Sequence, residues 1–357
     1  MYAAPCLAPT GFELLFASLA NNGRSLSFPC NEAGRVDIDA LSERARNNYF
    51  YARNVLGREF AWPLVHAASL DTGGRRVYLK IESDLPTGSF KVRGAVYAMA
   101  RHVERHGTTP VIAASTGNHG AAVAYAGQLL NVPVTIFLPE RANPVKTRRI
   151  LDLGARLVAT GPDLSAAIDA AYAEADRTGA FFLHDATDPD IPAGTATIGT
   201  EILTQLPAAE AIVVPMGDTA LIRGVATAAK QLKPSIRIIG VAAANAPAYF
   251  LSWRGGEAVS TETAHTIADG LAVRRALPPN VTAVISLVDD VRLVEEEDLL
   301  AAMAHLSSRE HLIAEPAAAA ATAAVMKDSD ATGTIVALVT GKNVAPELLE
   351  RIGGRLS

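Results

Sequence analysis

Lys91 stands where a lysine could serve as an amine nucleophile. Only seven of the 32 basic residues are lysines, and this one lies in the segment DLPTGSFKVRGAVYAMA. Residues 87–89 predict a turn, and residues 90–99 begin an apolar helical pattern. A cation at a helix N-terminus is disfavoured, and burial lowers the pKa of a lysine further, so the neutral amine needed for imine formation is favoured. An exposed lysine in the first helical turn is the alternative that this local pattern leaves open.

Two further segments have the composition of anion sites. ASTGNHG and PMGDTALIRG each follow a strand-like run and precede a helical one. Backbone N–H groups at a helix N-terminus bind carboxylates and phosphates. Each motif alone is weak, and His119 alone would more often be a structural histidine.

In combination these segments resemble the fold-type II pyridoxal 5′-phosphate (PLP) enzymes, the family of threonine and serine dehydratases, serine racemases, and phenylserine or hydroxyectoine-utilisation dehydratases. SFKVRGA is similar to the Schiff-base segment of that family, and ASTGNHG to its substrate-binding loop. The resemblance continues in the family's order, over roughly residues 60 to 350, through AGTATIGTEI, VVPMGDTALIRG, TIADGLAV, LIAEPAAAA and VALVTGKN. It implies a two-lobed α/β fold like that of tryptophan synthase β, in which each lobe is a twisted, mostly parallel sheet flanked by helices.

The resemblance also implies roles for individual residues. Lys91 would carry PLP as a Schiff base and act as general base on the substrate Cα proton. Thr116 would be a second catalytic candidate, since racemases of the family have serine there. Glu315 would support the site from behind. The implied cofactor-binding residues are Phe90, Lys91, Asn118, Gly217, Asp218, Thr219, Ala220, Leu221 and Thr340. The implied substrate-binding residues are Ser115, Thr116, Gly117, Asn118 and His119.

The sequence departs from the family's pattern in two places. Family members usually have four consecutive glycines where this chain has residues 217–220, GDTA. A carboxylate about 4 Å from a phosphate charge costs on the order of 4 kcal/mol at an effective dielectric near 20. We therefore expect Asp218 to turn away and cap backbone N–H groups. The family's metal site corresponds to the run AAANAPA around Asn245, which has no carboxylate, so no metal is expected.

Strand-like and alanine-rich helical runs alternate from about residue 110 onward, which predicts βαβ units on parallel sheets. Ligand is expected between the two lobes, beyond the carboxyl ends of the strands. We expect residues 1–40 to form an N-terminal extension that packs on a lobe or bridges to another subunit. Residues 41–112 and 188–357 are predicted to form a large PLP-binding domain, and residues 113–187 a small domain carrying the substrate loop.

The predicted activity is that of a PLP-dependent ammonia-lyase, a dehydratase that eliminates water from a β-hydroxy-α-amino acid to give a 2-oxo acid and ammonia. Serine and threonine are the default substrates, and small residues at 242–244 suggest room for a bulkier analogue such as phenylserine. In the resembled family the acid nearest the leaving hydroxyl is the phosphate of the cofactor. Thr340, facing the pyridine nitrogen, would weaken the electron sink and suit elimination.

Other functions stay open. Thr116 allows racemase activity, and β-replacement is the main rival within the fold, although such enzymes typically have threonine at the position of His119. The altered phosphate loop motivates a non-catalytic, PLP-binding regulatory homologue. A nucleotide-binding dehydrogenase is weakly supported, because no strand is followed by G-x-G-x-x-G.

Composition excludes several classes of protein. A formal net charge of −5, with scattered arginines, gives no basic field for nucleic acid. The two cysteines, Cys6 and Cys30, suit a reduced compartment. No export leader or membrane span is recognised, so a cytoplasmic protein is expected. Relatives suggest a homodimer, and because the chain ends soon after Thr340, no C-terminal regulatory domain is expected.

Overall fold

The computed structural model describes residues 12–16, 26–30, 35–54, 64–66, 75–115, 117–140, 144–328 and 332–353. Its strands are β1 (Phe12–Phe16), β2 (Leu26–Cys30), β3 (Leu64–His66), β4 (Arg75–Ile81), β5 (Val111–Ala114), β6 (Val134–Leu138), β7 (Arg156–Ala159), β8 (Phe181–Phe182), β9 (Ala211–Pro215), β10 (Arg237–Ala243), β11 (Asp290–Val294) and β12 (Gly333–Val339). Its helices are α1 (Glu43–Asn54), α2 (Lys91–His106), α3 (Asn118–Leu130), α4 (Pro144–Asp152), α5 (Leu164–Thr178), α6 (Asp190–Gln205), α7 (Ala220–Leu232), α8 (Ala248–Gly255), α9 (Pro278–Leu287), α10 (Glu296–Ser308), α11 (Pro316–Lys327) and α12 (Pro346–Gly353).

The strands form two sheets. The larger has the order β11-β10-β9-β12-β4-β3-β1-β2, and the smaller has the order β7-β6-β5-β8. Strands β4 and β9 to β12 pair in parallel, as do all strands of the smaller sheet. Parallel strands buried on both faces are apolar throughout, and β9 and β12 show this in the runs AIVVP and GTIVALV.

The N-terminal segment contributes two of these strands. β1 pairs antiparallel with β2 and with β3, which extends the larger sheet at its edge. Phe16, Phe28 and Tyr49 pack edge to face there, with ring centroids 5.3–6.0 Å apart. The described part of residues 1–40 therefore belongs to a lobe, which is the first of the two expected arrangements. The smaller sheet begins at Val111, slightly before the predicted boundary at residue 113.

Glycines let three helices pack closely beside the sheets. A Cβ atom on Gly194 of α6 would lie 2.4 Å from the carbonyl oxygen of Arg93 in α2. A Cβ atom on Gly224 of α7 would lie 2.2 Å from the carbonyl oxygen of Pro192 in α6. Contacts of this kind are too short for any side chain. The backbones of α2, α6 and α7 therefore touch, which fixes the position of the turn before Lys91.

The carboxyl ends of four strands point to one region between the sheets. Residues 115–119 follow β5, residues 183–186 follow β8, residues 216–220 follow β9, and residues 340–343 follow β12. This is where an α/β fold binds ligands.

Candidate active site

Lys91 begins helix α2, and its side chain lies between the two lobes with 15% of its surface exposed. Phe90 precedes it, and the Lys91 Nζ lies 5.4 Å from the centre of the Phe90 ring. The N–H of Phe90 donates to the carbonyl oxygen of Thr340 at 2.9 Å, and Ser89 forms a β-bridge with Gly341. These backbone contacts hold the segment before Lys91 against the end of β12.

Two carboxylates contact the amine of Lys91. Its Nζ donates to Oδ2 of Asp218 at 2.7 Å and to Oδ2 of Asp185 at 2.9 Å. Asp218 belongs to the loop after β9, and Asp185 to the segment after β8. The loops of both lobes therefore meet on one nitrogen atom.

This contact changes the expected ionisation of Lys91. Burial lowers its pKa, as the sequence suggested, but Asp185 and Asp218 outweigh burial and raise the pKa above its ordinary value. The expectation that its surroundings keep Lys91 neutral is therefore wrong, because the two carboxylates favour the ammonium form. The sequence motifs assign Asp218 to the phosphate loop only and do not include Asp185.

The two carboxyl groups differ in their own ionisation. Burial raises the pKa of Asp185, but Lys91 outweighs it and holds that pKa well below its usual range. Burial and the neighbouring Asp185 raise the pKa of Asp218, and Lys91 only partly offsets them. The pKa values of the two carboxyl groups are therefore shifted in opposite directions.

Asp218 follows its expected capping role in part. Its Oδ1 accepts from the N–H of Ala220 at 3.0 Å, which caps the start of α7. Its other oxygen binds Lys91 instead of turning away from the site. The next residue, Thr219, has φ of 76°, a left-handed conformation that suits the glycine of the resembled loop better than threonine.

Position 217 requires glycine because another backbone segment approaches it closely. A Cβ atom at this position would lie 2.1 Å from the carbonyl oxygen of Gly270. The loop after β9 is therefore pressed against the turn at residues 269–271, in the TIADGLAV segment. Ala220 and Leu221 continue into α7 and are both buried.

Residues 117–119 lie at the start of α3. The Ser115 hydroxyl accepts from the N–H of Gly117 at 3.1 Å, and Gly117 at the N-cap position has no side chain with which to cap the helix. Nothing lies within 4 Å of the place where a Cβ atom of Gly117 would be. The helix N-terminus therefore borders open space that suits a carboxylate. Thr116 lies outside the described residues, so its catalytic role stays a prediction.

Asn118 joins the two lobes. Its Nδ2 donates to Oε1 of Glu315 at 2.7 Å, and its Oδ1 accepts from Nδ2 of Asn343 at 2.6 Å. Asn343 also donates to the carbonyl oxygen of Thr87 at 3.0 Å and accepts a short hydrogen bond from Arg149. Glu315 thus holds Asn118 through a hydrogen bond, and its supporting role in the site stays a prediction.

His119 is a buried, neutral residue. Its Nε2 lies 3.0 Å from the carbonyl oxygen of Leu183, which fixes the tautomer with the proton on that nitrogen. Burial lowers its pKa. Its position on Leu183 supports the segment that carries Asp185, so the side chain has a structural role in addition to any contact with substrate.

Sequence reasoning missed Asp185 and Asn343. Asp185 follows the short apolar run FFLH at the end of a strand, the position where a polar residue faces the site. Asn343 lies in the quoted segment LVTGKN, of which only Thr340 was used. The side chain of Thr340 is buried at the end of β12, two residues after Leu338 of the core.

The residues present fit PLP. Among the described residues near Lys91, three buried atoms have no hydrogen-bond partner, namely Oγ of Ser89, Nδ1 of His119 and Oγ1 of Thr219. Buried polar atoms without partners are rare in folded proteins and are consistent with a group that binds there. The amine of Lys91, the incompletely capped start of α7 and the open space beside Gly117 supply the attachment point, the phosphate site and the carboxylate site that the cofactor and an amino acid require.

Comparison with known proteins agrees with this geometry. A family model described as pyridoxal-phosphate-dependent enzyme matches residues 55–341. The chain belongs to this family. It is 39% identical over 282 residues to the L-threonine ammonia-lyase of Thermotoga maritima, covering 79% of this chain and 70% of that protein. It is 32% identical over 284 residues to the catabolic L-threonine dehydratase of Escherichia coli, covering 78% and 86%.

Solved structures of the PLP enzyme family share the fold. Maize serine racemase matches with a TM-score of 0.77 and 28% identity, over 82% of this chain and 92% of that one. Threonine deaminase isoform 2 from Solanum lycopersicum matches with a TM-score of 0.75 and 32% identity, over 79% and 78%. The predicted family, two-lobed fold, cofactor and PLP-dependent dehydratase class are confirmed. The domain boundaries and the roles of single residues stay predictions.

Two further properties of the described residues concern membrane spans and metal sites. No helix in the described part of the chain is long and apolar enough to cross a membrane. Within the same residues, no group of three or more His, Cys, Asp or Glu side chains is placed to hold a metal ion.

Proposed function

We propose that this PLP enzyme is an ammonia-lyase that removes water from L-threonine or L-serine. The observation that carries the proposal is the convergence of three parts on Lys91 at the junction of the lobes: the start of α3, the loop after β9 and the end of β12. The similarity to threonine ammonia-lyases and dehydratases supports the choice of substrate.

Each part of the site has a task in this reaction. The N–H groups at the start of α3, beside Gly117, bind the substrate carboxylate. Bound PLP would withdraw electrons through the substrate nitrogen and so acidify the Cα proton. Lys91 in its neutral form removes that proton, and Glu315 holds Asn118 in the orientation that the site needs.

The hypothesis of a bulkier substrate loses most of its structural basis. Ala242 and Ala243 are buried in the two hydrophobic cores that flank the larger sheet, so the small size of these two residues fills core space, whereas Ala244 is partly exposed. We therefore expect serine and threonine to be preferred over phenylserine. We further propose, as the sequence suggested, that the enzyme is a cytoplasmic homodimer.

A direct assay tests the proposed function. Purified protein saturated with PLP is incubated with L-threonine, L-serine or L-phenylserine, and release of 2-oxo acid and ammonia is measured, with Lys91→Ala as control. We expect turnover of threonine or serine by the wild type alone. Absence of 2-oxo acid release from all three amino acids would contradict the proposal.

Racemase activity is a second candidate, because the chain has a hydroxyl at Thr116 and is similar to maize serine racemase. Chiral chromatography of the serine remaining in the same assay tests it. D-serine should form only if a proton can be exchanged on the face opposite Lys91.

A further inference from the structure

The contact of Lys91 with two carboxylates poses a problem for its role as a base. A general base must be a neutral amine, whereas Asp185 and Asp218 hold Lys91 as a cation. When Lys91 is neutral, two mostly buried carboxyl groups, 27% and 20% exposed, face each other without their cation. Two such groups retain one proton between them because their charges repel.

The role that we assign to this proton rests on the proposed function. Elimination of water needs a base for the Cα proton and an acid for the β-hydroxyl, because hydroxide is a poor leaving group. We propose that Asp218 is the acid that protonates the leaving hydroxyl, and that Asp185 is its ionised partner. Both touch the nitrogen atom that takes the Cα proton.

The proton balance closes within the site. Neutral Lys91 takes the Cα proton, and the electron pair of that bond forms the new Cα–Cβ double bond. The Cβ–O bond breaks with its electron pair going to oxygen, and Asp218 delivers its proton there, which gives water and an aspartate. Lys91 is then a cation 2.7 Å from that aspartate, and the proton passes back to Asp218 when the amine has to become neutral again for the next turnover. No proton from bulk solvent is needed.

Its place in the fold favours Asp218 over Asp185 as the group that holds the proton. The groups that face the pair are Lys91, His119, His184, 3.6 Å from Asp185, and Arg223 on α7. Asp218 lies in the phosphate loop, where the charge of a bound phosphate favours its protonated form. The chain thus carries its own acid where the resembled loop has a glycine.

A substrate whose leaving group needs no proton distinguishes an acid that protonates the leaving group from a residue that only positions other groups. We would compare elimination from the β-hydroxy substrate with elimination from β-chloroalanine, which releases chloride. In Asp218→Asn, turnover of the hydroxy substrate should fall by about 10²–10⁴-fold, whereas turnover of β-chloroalanine should fall less than about 5-fold. Asp188→Asn is the matched control, because Asp188 is another partly buried carboxyl group, three residues after Asp185, and accepts a hydrogen bond from the N–H of Asp190.

An infrared measurement adds a readout that does not depend on turnover. The wild-type holoenzyme should show the stretching band of a protonated carboxyl group, which disappears in Asp218→Asn and persists in Asp188→Asn. An equal loss on both substrates in Asp218→Asn and in the second variant Asp218→Ser, or no such band in the wild type, would overturn the proposal. A wild type that turns over β-chloroalanine but no β-hydroxy amino acid contradicts the assignment of Asp218 and the proposed function together. A wild type that turns over the hydroxy substrate, with variants equally slow on both, refutes only the role of Asp218.

Discussion

Lys80 and Lys91 are eleven residues apart, and each contacts two carboxylates, yet they have opposite uses. Lys80 is 1% exposed and lies 2.7 Å from Glu201 and 3.7 Å from Glu82. Arg93 binds the same two glutamates through paired hydrogen bonds of 2.6–2.9 Å. This buried ion cluster contains two positive and two negative charges, so its formal charge is balanced. In the cluster around Lys91, one cation contacts two carboxylates.

The difference in balance shows which lysine is available for chemistry. A cluster with balanced charges has nothing to gain from a proton transfer, and it stabilises one arrangement of β4, α2 and α6. The unbalanced cluster at Lys91 is partly exposed and surrounded by polar atoms without partners. Such sites are typical of functional groups with perturbed ionisation. The predictions below test this distinction.

The largest effect is expected at the unbalanced cluster. Lys91→Ala should remove covalent attachment of the cofactor and lower the rate of elimination by at least about 10³-fold, because it removes both the attachment point and the base. The measurements are the visible absorption of the purified protein and peptide mapping after borohydride reduction. Lys80→Met is the control, and label on Lys80 or on any lysine other than Lys91 would refute the assignment.

The balanced cluster should respond in stability and not in chemistry. Lys80→Met leaves Glu82 and Glu201 with only Arg93, so the free energy of unfolding should fall by about 3–5 kcal/mol, the usual cost of breaking a buried pair. Chemical denaturation of the holoenzyme measures it. The folded variant should keep the visible cofactor band, and loss of that band without loss of stability would contradict the comparison.

The same contrast marks what could be predicted from sequence. The βαβ alternation and the motifs around Lys91 and residues 115–119 place the site at the strand ends, because local patterns determine parallel sheets and helix starts. The partners of Lys91 were not predictable in this way. Asp185 lies 94 residues away, and only the packing of the two lobes brings it to the amine. The ion pair of Lys80 with Glu201, 121 residues away, is likewise a tertiary contact.

A smaller effect is expected when the charge of the balanced cluster is kept but its geometry is lost. Arg93→Lys preserves the net charge and removes the paired contacts to both glutamates, since an ammonium group cannot reproduce the planar fork of a guanidinium. The free energy of unfolding should fall by about 1–3 kcal/mol. Thr197→Val, which removes the acceptor 3.0 Å from Arg93 and the hydroxyl bond to the carbonyl oxygen of Gly194 but neither glutamate contact, is the matched control and should cost less. Equal stability of Arg93→Lys and the wild type would show that charge alone holds the cluster.

The smallest effect concerns the pH dependence of stability near the site. Burial lowers the pKa of His119 below its ordinary value near 6.5. Below that pH the unfolded chain binds a proton that the folded protein does not, so the stabilising contribution of the neutral ring is complete above about pH 6.5 and is lost as the pH falls. The slope from this one group is at most about 1.4 kcal/mol per pH unit.

His119→Gln retains an N–H donor for the carbonyl oxygen of Leu183 but does not titrate, so its denaturation midpoint should change less than that of the wild type between pH 7.5 and 5.5. His265→Gln, a change at a histidine outside the site, should leave the wild-type slope unaltered. A variant at position 119 with the wild-type slope would mean that His119 is protonated in the folded protein, and the cation beside Asp185 would then be shared between Lys91 and the imidazole.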